Sequence, residues 1–198
     1  MLKAIAHAAA SRPRVYELIQ ILAGRHAIGR LIGPFIPIVR GMWLDVGSSS
    51  GSFPDITGAR AVPVQIDNDV RPLVLAKRRD SRSRVIGADA SSLPFRAGAF
   101  DLTTCFAVSH HLDDATLRAA LREIARVTTD CFVFFDAVWV ESRFLSRVLW
   151  RYDRGAFPRT REVLERELSR HFEISEQLTH RIAHEYWLAV ARPFRRPR

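Results

Sequence analysis

Between Met42 and Ala137 short apolar runs alternate with stretches of helical spacing, and this alternation constrains the fold more than any other feature of the chain. Strand patterns fall at Met42–Val46, Val62–Ile66, Arg84–Gly87, Leu102–Ala107 and Cys131–Ala137. Helical spacing falls at Asp69–Arg79 and at Thr116–Val127, where Leu117, Leu121, Ile124 and Ala125 share a face. Apolar strands joined through helices pair in parallel, because each crossover lays a helix over a sheet face. The expected fold class is therefore α/β. Farther on, Glu141–Arg151 and Arg161–His171 read as helices, and Phe172–Gln177 and Glu185–Ala191 as strands. These two strands lie too close in sequence for a helical crossover, so they should be antiparallel. Ahead of the alternation, Ser11–Ala23 reads as an amphipathic helix with Ser11 as N-cap.

A chain of 198 residues, 47% hydrophobic and 26% charged, is one domain's worth of protein with a packed core. The longest apolar-looking stretch, Ile28–Val39, contains Arg30, Pro34 and Pro37 and falls short of the roughly 20 apolar residues that span a bilayer. Met1–Ala10 lacks the apolar run of a secretory signal, so the expected compartment is the cytoplasm. Cys105 and Cys131, each in a strand pattern, read as reduced, buried thiols. The formal charge of +9 fits nucleic acid, an anionic membrane surface or acidic substrates as partner. A genomic bias accounts for it more readily, since only Lys3 and Lys77 are lysines among 30 basic residues.

Chemistry-bearing residues gather at the strand ends. The first strand runs into Trp43-Leu44-Asp45-Val46-Gly47-Ser48-Ser49-Ser50-Gly51, small residues that let a nucleotide-like ligand approach the backbone. The second ends at Asp67, about 20 residues after Gly47, the spacing that puts an acceptor on a ribose diol. The third delivers Gly87-Ala88-Asp89-Ala90, whose Asp89 can accept from an adenine amino group. A dinucleotide fingerprint would need Gly or Ala at position 52, where Ser52 stands, and Asp45 would repel a pyrophosphate.

On these residues the chain resembles the class I S-adenosylmethionine-dependent methyltransferases. The likeness is to the small-molecule branch, methyltransferase type 11, that includes the ubiquinone and menaquinone C-methyltransferases. It runs through WLDVGSSSG, VPVQIDND, GADASSLPFRAGAFDLTTCFAVSHHLDD, LREIARV and EYWLAVARP, about residues 40–192. The resemblance implies a Rossmann-like, seven-stranded, mostly parallel sheet with helices on both faces and an antiparallel C-terminal strand pair. It divides one domain, residues 1–198, into a helical cap (1–40), a cofactor-binding half (41–137) and a substrate-side half (138–198). It places Asp45, Gly47, Ser49 and Gly51 at the methionine end of S-adenosylmethionine, Asp67 at the ribose, and Asp89 with Ala90 at the adenine, and it counts Asn68 and Phe106 among the cofactor-binding residues. Two departures stand out: Ser49 occupies the family's central glycine, and only 16 positions separate Gly51 from Asp67, which shortens the intervening helix.

A sulfonium donor arrives activated, so the protein chiefly aligns donor and acceptor and excludes water, with a base optional. Three residues are candidates for acid–base work: His111, which aligns best with the branch's histidine, its neighbour His110, and Asp136 at the end of the fifth strand. The alternative is that one histidine packs, that Asp113 or Asp114 caps the next helix, and that Asp136 caps a loop. No metal site is expected. His180 and His184 flank a strand connection and read as a solvated turn. The bulky segment Trp139–Arg151 reads as core with an arginine face, or as a lid or lipid-facing surface. Ala107-Val108-Ser109-His110 stands where nucleic-acid amino methyltransferases carry Asn/Asp-Pro-Pro-aromatic, and the two lysines cannot furnish a ribose-methylating tetrad. No specific nucleic-acid partner is expected. What remains is metal-independent methylation of O or C in a small, hydrophobic acceptor such as a quinone, polyketide or lipid precursor. A non-catalytic protein of the same fold, acting as a partner or membrane-surface module, is the alternative.

Overall fold

The computed structural model describes residues 31–37, 41–51, 63–79, 81–82, 84–143, 146–147, 150, 157–181 and 184–194. Seven strands form one sheet: β1 (Trp43–Val46), β2 (Pro63–Asp67), β3 (Arg84–Gly87), β4 (Phe100–Phe106), β5 (Thr128–Val138), β6 (Phe172–Arg181) and β7 (Glu185–Pro193). Their order is β3-β2-β1-β4-β5-β7-β6. The first five pair in parallel, while β7 runs antiparallel to both β5 and β6. This is the sheet expected from the sequence, including its closing antiparallel pair. The expected leading helix, Ser11–Ala23, and the segment after Gly51 lie outside the described residues.

Side-chain alternation divides the core between two faces. On one, Leu44, Val46, Ile66, Phe132, Phe134 and Trp187 pack under α2 (Asp114–Val127) and α3 (Arg161–Leu168). On the other, Trp43, Leu102, Phe106, Val133, Phe135 and Leu188 pack with Ile32 and Ile36. That face also carries α1 (Val70–Arg79), because a Cβ on Gly51 would lie 2.7 Å from Ala76 Cβ and 3.1 Å from Gln65 Oε1. Helices thus cover both faces, and every parallel strand delivers its C-terminal end to the same edge.

Some boundaries differ from the sequence expectation for local reasons. α2 begins at Asp114, because Asp113 accepts a hydrogen bond from Thr116 N at 2.7 Å as N-cap. β6 continues to Arg181, held by its pairing with β7 through His180 and Tyr186. α3 stops at Leu168, three residues early. Glu141, Ser142 and Arg143 form a turn, closed by Arg143 N donating to Val140 O at 3.2 Å, where a helix start was expected.

Candidate active site

The loop after β1 is built from left-handed backbone. Gly47 (φ 70°), Ser49 (φ 49°) and Gly51 (φ 70°) alternate with ordinary residues, wrapping the chain across the ends of β1 and β2. Gly47 N and Ser48 N both donate to Ile66 O, at 2.8 and 3.0 Å. Ser49 N donates to Asp67 Oδ2 at 2.9 Å, and Asp69 N to Asp67 Oδ1 at 2.9 Å. The Asp67 carboxylate is thereby aimed along the loop, with lone pairs left for a diol. A Cβ on Gly47 would stand 2.3 Å from Val108 Cγ2. Glycine at 47 is thus what lets this loop abut the turn after β4.

Asp45 lies beneath the loop. Trp43 Nε1 donates to Thr104 Oγ1 at 2.9 Å, and Thr104 Oγ1 donates to Asp45 Oδ1 at 2.7 Å. Asp45 Oδ2 is buried without a partner. Burial pushes the Asp45 carboxyl up to about 7, the Thr104 hydrogen bond pulling it down and the nearby Asp67 adding to the rise. Ser48 Oγ and Gln65 Oε1 are also buried and unpartnered, so three orphaned polar atoms sit at this one loop. Unsatisfied buried groups are costly in a finished core and normal where a ligand completes the site. The residues therefore fit the polar groups of S-adenosylmethionine, whose ammonium is a natural partner for Asp45 Oδ2.

Asp89 follows at the next strand tip, since Ala88 N donates to Asp67 O at 3.1 Å. Its own carboxylate takes Ser91 N and Ser91 Oγ, each at 2.8 Å, and is exposed, as Ala90 beside it is partly so. Asn68 lies between Asp67 and α1. Phe106 is placed differently from expectation: its ring is 4% exposed and packs edge-on to Phe135 in the core, 6.4 Å between centroids.

At the ends of β4 and β5 a second constellation forms. Ala107, with φ 56°, turns the chain out of β4, and its N–H donates to Phe135 O at 2.7 Å. The 3₁₀ turn Ser109–His111 follows. Asp136, fully buried, accepts Ser109 Oγ at 2.5 Å, His110 Nδ1 at 2.6 Å, Ala137 N at 2.7 Å and His110 N at 3.3 Å. Burial raises this carboxyl, yet the His110 charge and hydrogen bond, with those of Ser109 and Ala137, outweigh it and hold Asp136 below the usual carboxylate range. An ionised Asp136 only accepts, so His110 donates to it from Nδ1, and Nε2 is the nitrogen that gains and loses the second proton as the ring titrates. Of the two adjacent histidines, buried His110 is thus the one paired with the carboxylate. His111 is exposed, its ring 4.1 Å from that of His110.

A file of rings leads away from this pair: His110 to Trp150 (5.6 Å), Trp150 to His184 (5.0 Å), His184 to Tyr186 (6.1 Å) and Tyr186 stacked on Phe135 (5.2 Å). His184 is half-buried and bonded to Ser146 Oγ at 3.0 Å, a correction to the solvated turn expected there. Trp150 Nε1 is a buried donor without a partner. Cys105 is raised by burial and by the charges of both Asp136 and Asp45, and its strand β4 lies between β5, which carries Asp136, and β1, which carries Asp45. Cys131 is pushed up by burial to about 11, so both thiols stay protonated at neutral pH. Sequence reasoning missed Thr104 and Arg159, whose residue types are ordinary at their positions.

Residues 44–130 match the family model described as a methyltransferase domain, which spans β1 to the start of β5. Over these residues the chain is similar to the methyltransferase domain family. A search of curated proteins gave no match. Solved structures share the fold at low identity. A methyltransferase from Methanosarcina mazei superposes with a TM-score of 0.72 at 16% identity, over 82% of this chain and 96% of that one. The geranyl diphosphate C-methyltransferase of Streptomyces coelicolor A3(2), bound to Mg2+, geranyl diphosphate and S-adenosyl-L-homocysteine, gives 0.71 at 12%, over 85% and 80%. The N-methyltransferase NodS of Bradyrhizobium japonicum WM9, bound to S-adenosyl-L-homocysteine, gives 0.67 at 19%, over 86% of each. Among the described residues no helix is long and apolar enough to cross a membrane.

Proposed function

We propose that this methyltransferase moves the methyl of S-adenosylmethionine to an oxygen or carbon of a small, hydrophobic, ring-bearing acceptor, with His110 taking the acceptor's proton. The observation that carries the reading is the abutment of two sites through Gly47 and Val108: an orphan-rich carboxylate crevice and a buried His110–Asp136 pair. Asp45 holds the donor's ammonium, Asp67 and Asn68 its ribose hydroxyls, and Asp89 with Ala90 frames the adenine. When bound, the donor supplies an electrophilic methyl. The chain then has only to align the acceptor and accept a proton at His110 Nε2. A base of this kind suits a phenol, an enol or an activated carbon, whose nucleophile is released by deprotonation. The rings of Trp150, His184 and Tyr186 form an apolar wall for such an acceptor, and Trp150 Nε1 offers it a donor. The wet neighbourhood of His111 suits it to a supporting role at the mouth of the site.

Calorimetry with S-adenosyl-L-homocysteine tests the reading first. Micromolar binding is expected, weakened at least tenfold in Asp67→Ala; no binding by the wild-type chain would overturn it. Transfer of labelled methyl to a panel of phenols, hydroquinones and enolisable lipids follows. His110→Gln should lose most turnover while binding S-adenosyl-L-homocysteine as before, and unchanged turnover removes the base.

A further inference from the structure

Arg159 precedes α3, and its side chain is 7% exposed. Its guanidinium meets the His110 turn on three sides. Nη1 donates to Ser109 O at 2.8 Å, and Nη2 donates to Leu112 O at 2.7 Å, so the two carbonyls that bracket His110 and His111 are held by one planar group. Nη2 and Nε both donate to Asp114 Oδ1, at 2.7 and 3.0 Å, fixing the N-terminus of α2 in the same grip. The backbone completes the clasp: Phe157 N donates to His110 O at 3.1 Å, and Trp139 N, three residues beyond Asp136, donates to Arg159 O at 2.7 Å. One residue therefore bonds to both strands of the constellation, the exit of β5 that carries Asp136 and the turn that carries His110.

We propose that Arg159 is a positioning residue for methyl transfer, its guanidinium locking the Ser109–Leu112 turn so that the His110 ring stays on Asp136. The inference rests on the reading of His110 as the base. Its physical ground is the fork geometry of arginine. Two carbonyls and one carboxylate in different directions are satisfied together by a planar group with five donors, whereas an ammonium at the same charge reaches them only in part. Ala107 leaves β4 in left-handed backbone and the turn is a single 3₁₀ turn, so its outer carbonyls, Ser109 O and Leu112 O, are those the guanidinium holds. The charged and titratable groups around His110 are Asp136 from β5, His111, Asp113 and Asp114 on its own turn and helix, and Arg159 before α3. Cys105 lies on β4 beside Asp136, and His184 lies across Trp150.

The test needs no acceptor. Histidine ring resonances of the full chain are followed against pH, with His110→Gln assigning the His110 signal, and S-adenosyl-L-homocysteine binding is measured alongside. Arg159→Lys keeps the charge and loses the fork. It should bind S-adenosyl-L-homocysteine within about twofold of wild type, while the His110 midpoint drops by half a pH unit or more toward an unpaired histidine. A merely structural role would lower the melting temperature and leave that midpoint where it was, which overturns the proposal. Should Arg159→Lys fail to fold, Asp114→Asn decides in its place: a smaller drop in the same direction supports the clasp and no drop overturns it. The titration answers for Arg159 however His110→Gln behaves in turnover, so failure of the base and failure of the clasp are read separately.

Discussion

At the residue scale the most informative group is Asp45, a buried carboxyl with one oxygen on Thr104 and the other unpartnered. Its folded value of about 7 stands above the ordinary 3.8, so the unfolded chain gives up this proton more readily than the folded one. The sign follows: the contribution is fully favourable below pH about 4 and is lost as pH rises toward 7, up to about 4 kcal/mol for three units. Asp45→Asn should therefore be the more stable protein at pH 8, measured by denaturant midpoint without ligand. Cofactor binding runs the other way. An ammonium on Asp45 needs the carboxylate, so binding below pH 7 releases a proton. S-adenosylmethionine affinity should rise about tenfold from pH 6 to pH 8. Calorimetry in buffers of different ionisation enthalpy checks this; equal affinity and no proton release would show that Asp45 does not meet the ammonium.

At the scale of elements, the stretch from Ala88 to Ala99, to which the proposed function gives the adenine, has no helix or strand of its own. Side chains of α2 supply what regular structure does not. Glu123 Oε2 accepts from Leu93 N at 2.9 Å, Arg126 Nη2 donates to Leu93 O at 3.0 Å, and Arg126 Nη1 donates to Phe95 O at 2.7 Å. The two side chains bind each other at 2.6 Å, and it is chiefly this hydrogen bond that holds Glu123 below the usual carboxylate range. Arg126→Met removes two carbonyl partners in a part-buried site and should cost about 1–3 kcal/mol. S-adenosyl-L-homocysteine affinity should fall several-fold as Asp89 loses its frame, and calorimetry with a denaturation curve separates the two effects. The strands that position Asp45, Asp67, Asp89 and Asp136 were legible, because short apolar runs and the small residues after β1 are local signals. The partners of those residues were not. Nothing local distinguishes Thr104, Arg126 or Arg159 from other threonines and arginines, since each acts across 25 or more positions through the fold. The choice of His110 over His111 was likewise hidden. It depends on which ring the 3₁₀ turn swings toward β5, and adjacent residues give no hint of that.

For the molecule as a whole, the sheet order fixes how binding in one half is felt in the other. β1 pairs with β2 and β4, and β4 with β5, so the strand between the cofactor loop and Asp136 is shared by both sites. β5 and β7 pair over seven positions, from Phe132–Ala191 to Val138–Glu185, and Trp187 packs on Phe134 at 5.7 Å, which extends the same core toward the closing hairpin. A sheet joined this way has no seam at which the cofactor side could melt alone. A ligand held at the ends of β1 and β2 must then stabilise all of it by mass action, by about 2.7 kcal/mol at a hundredfold excess over its dissociation constant. For a chain of this length that corresponds to a rise in melting temperature of about 5–10 °C. Heating with S-adenosyl-L-homocysteine should therefore shift one transition, seen alike by tryptophan fluorescence, which includes Trp187 far from the loop, and by far-UV circular dichroism. Asp67→Ala should abolish the shift without splitting the transition. Two transitions, with the ligand moving only the first, would mean that β6 and β7 unfold as a separate unit and that the shared strand does not couple the two sites.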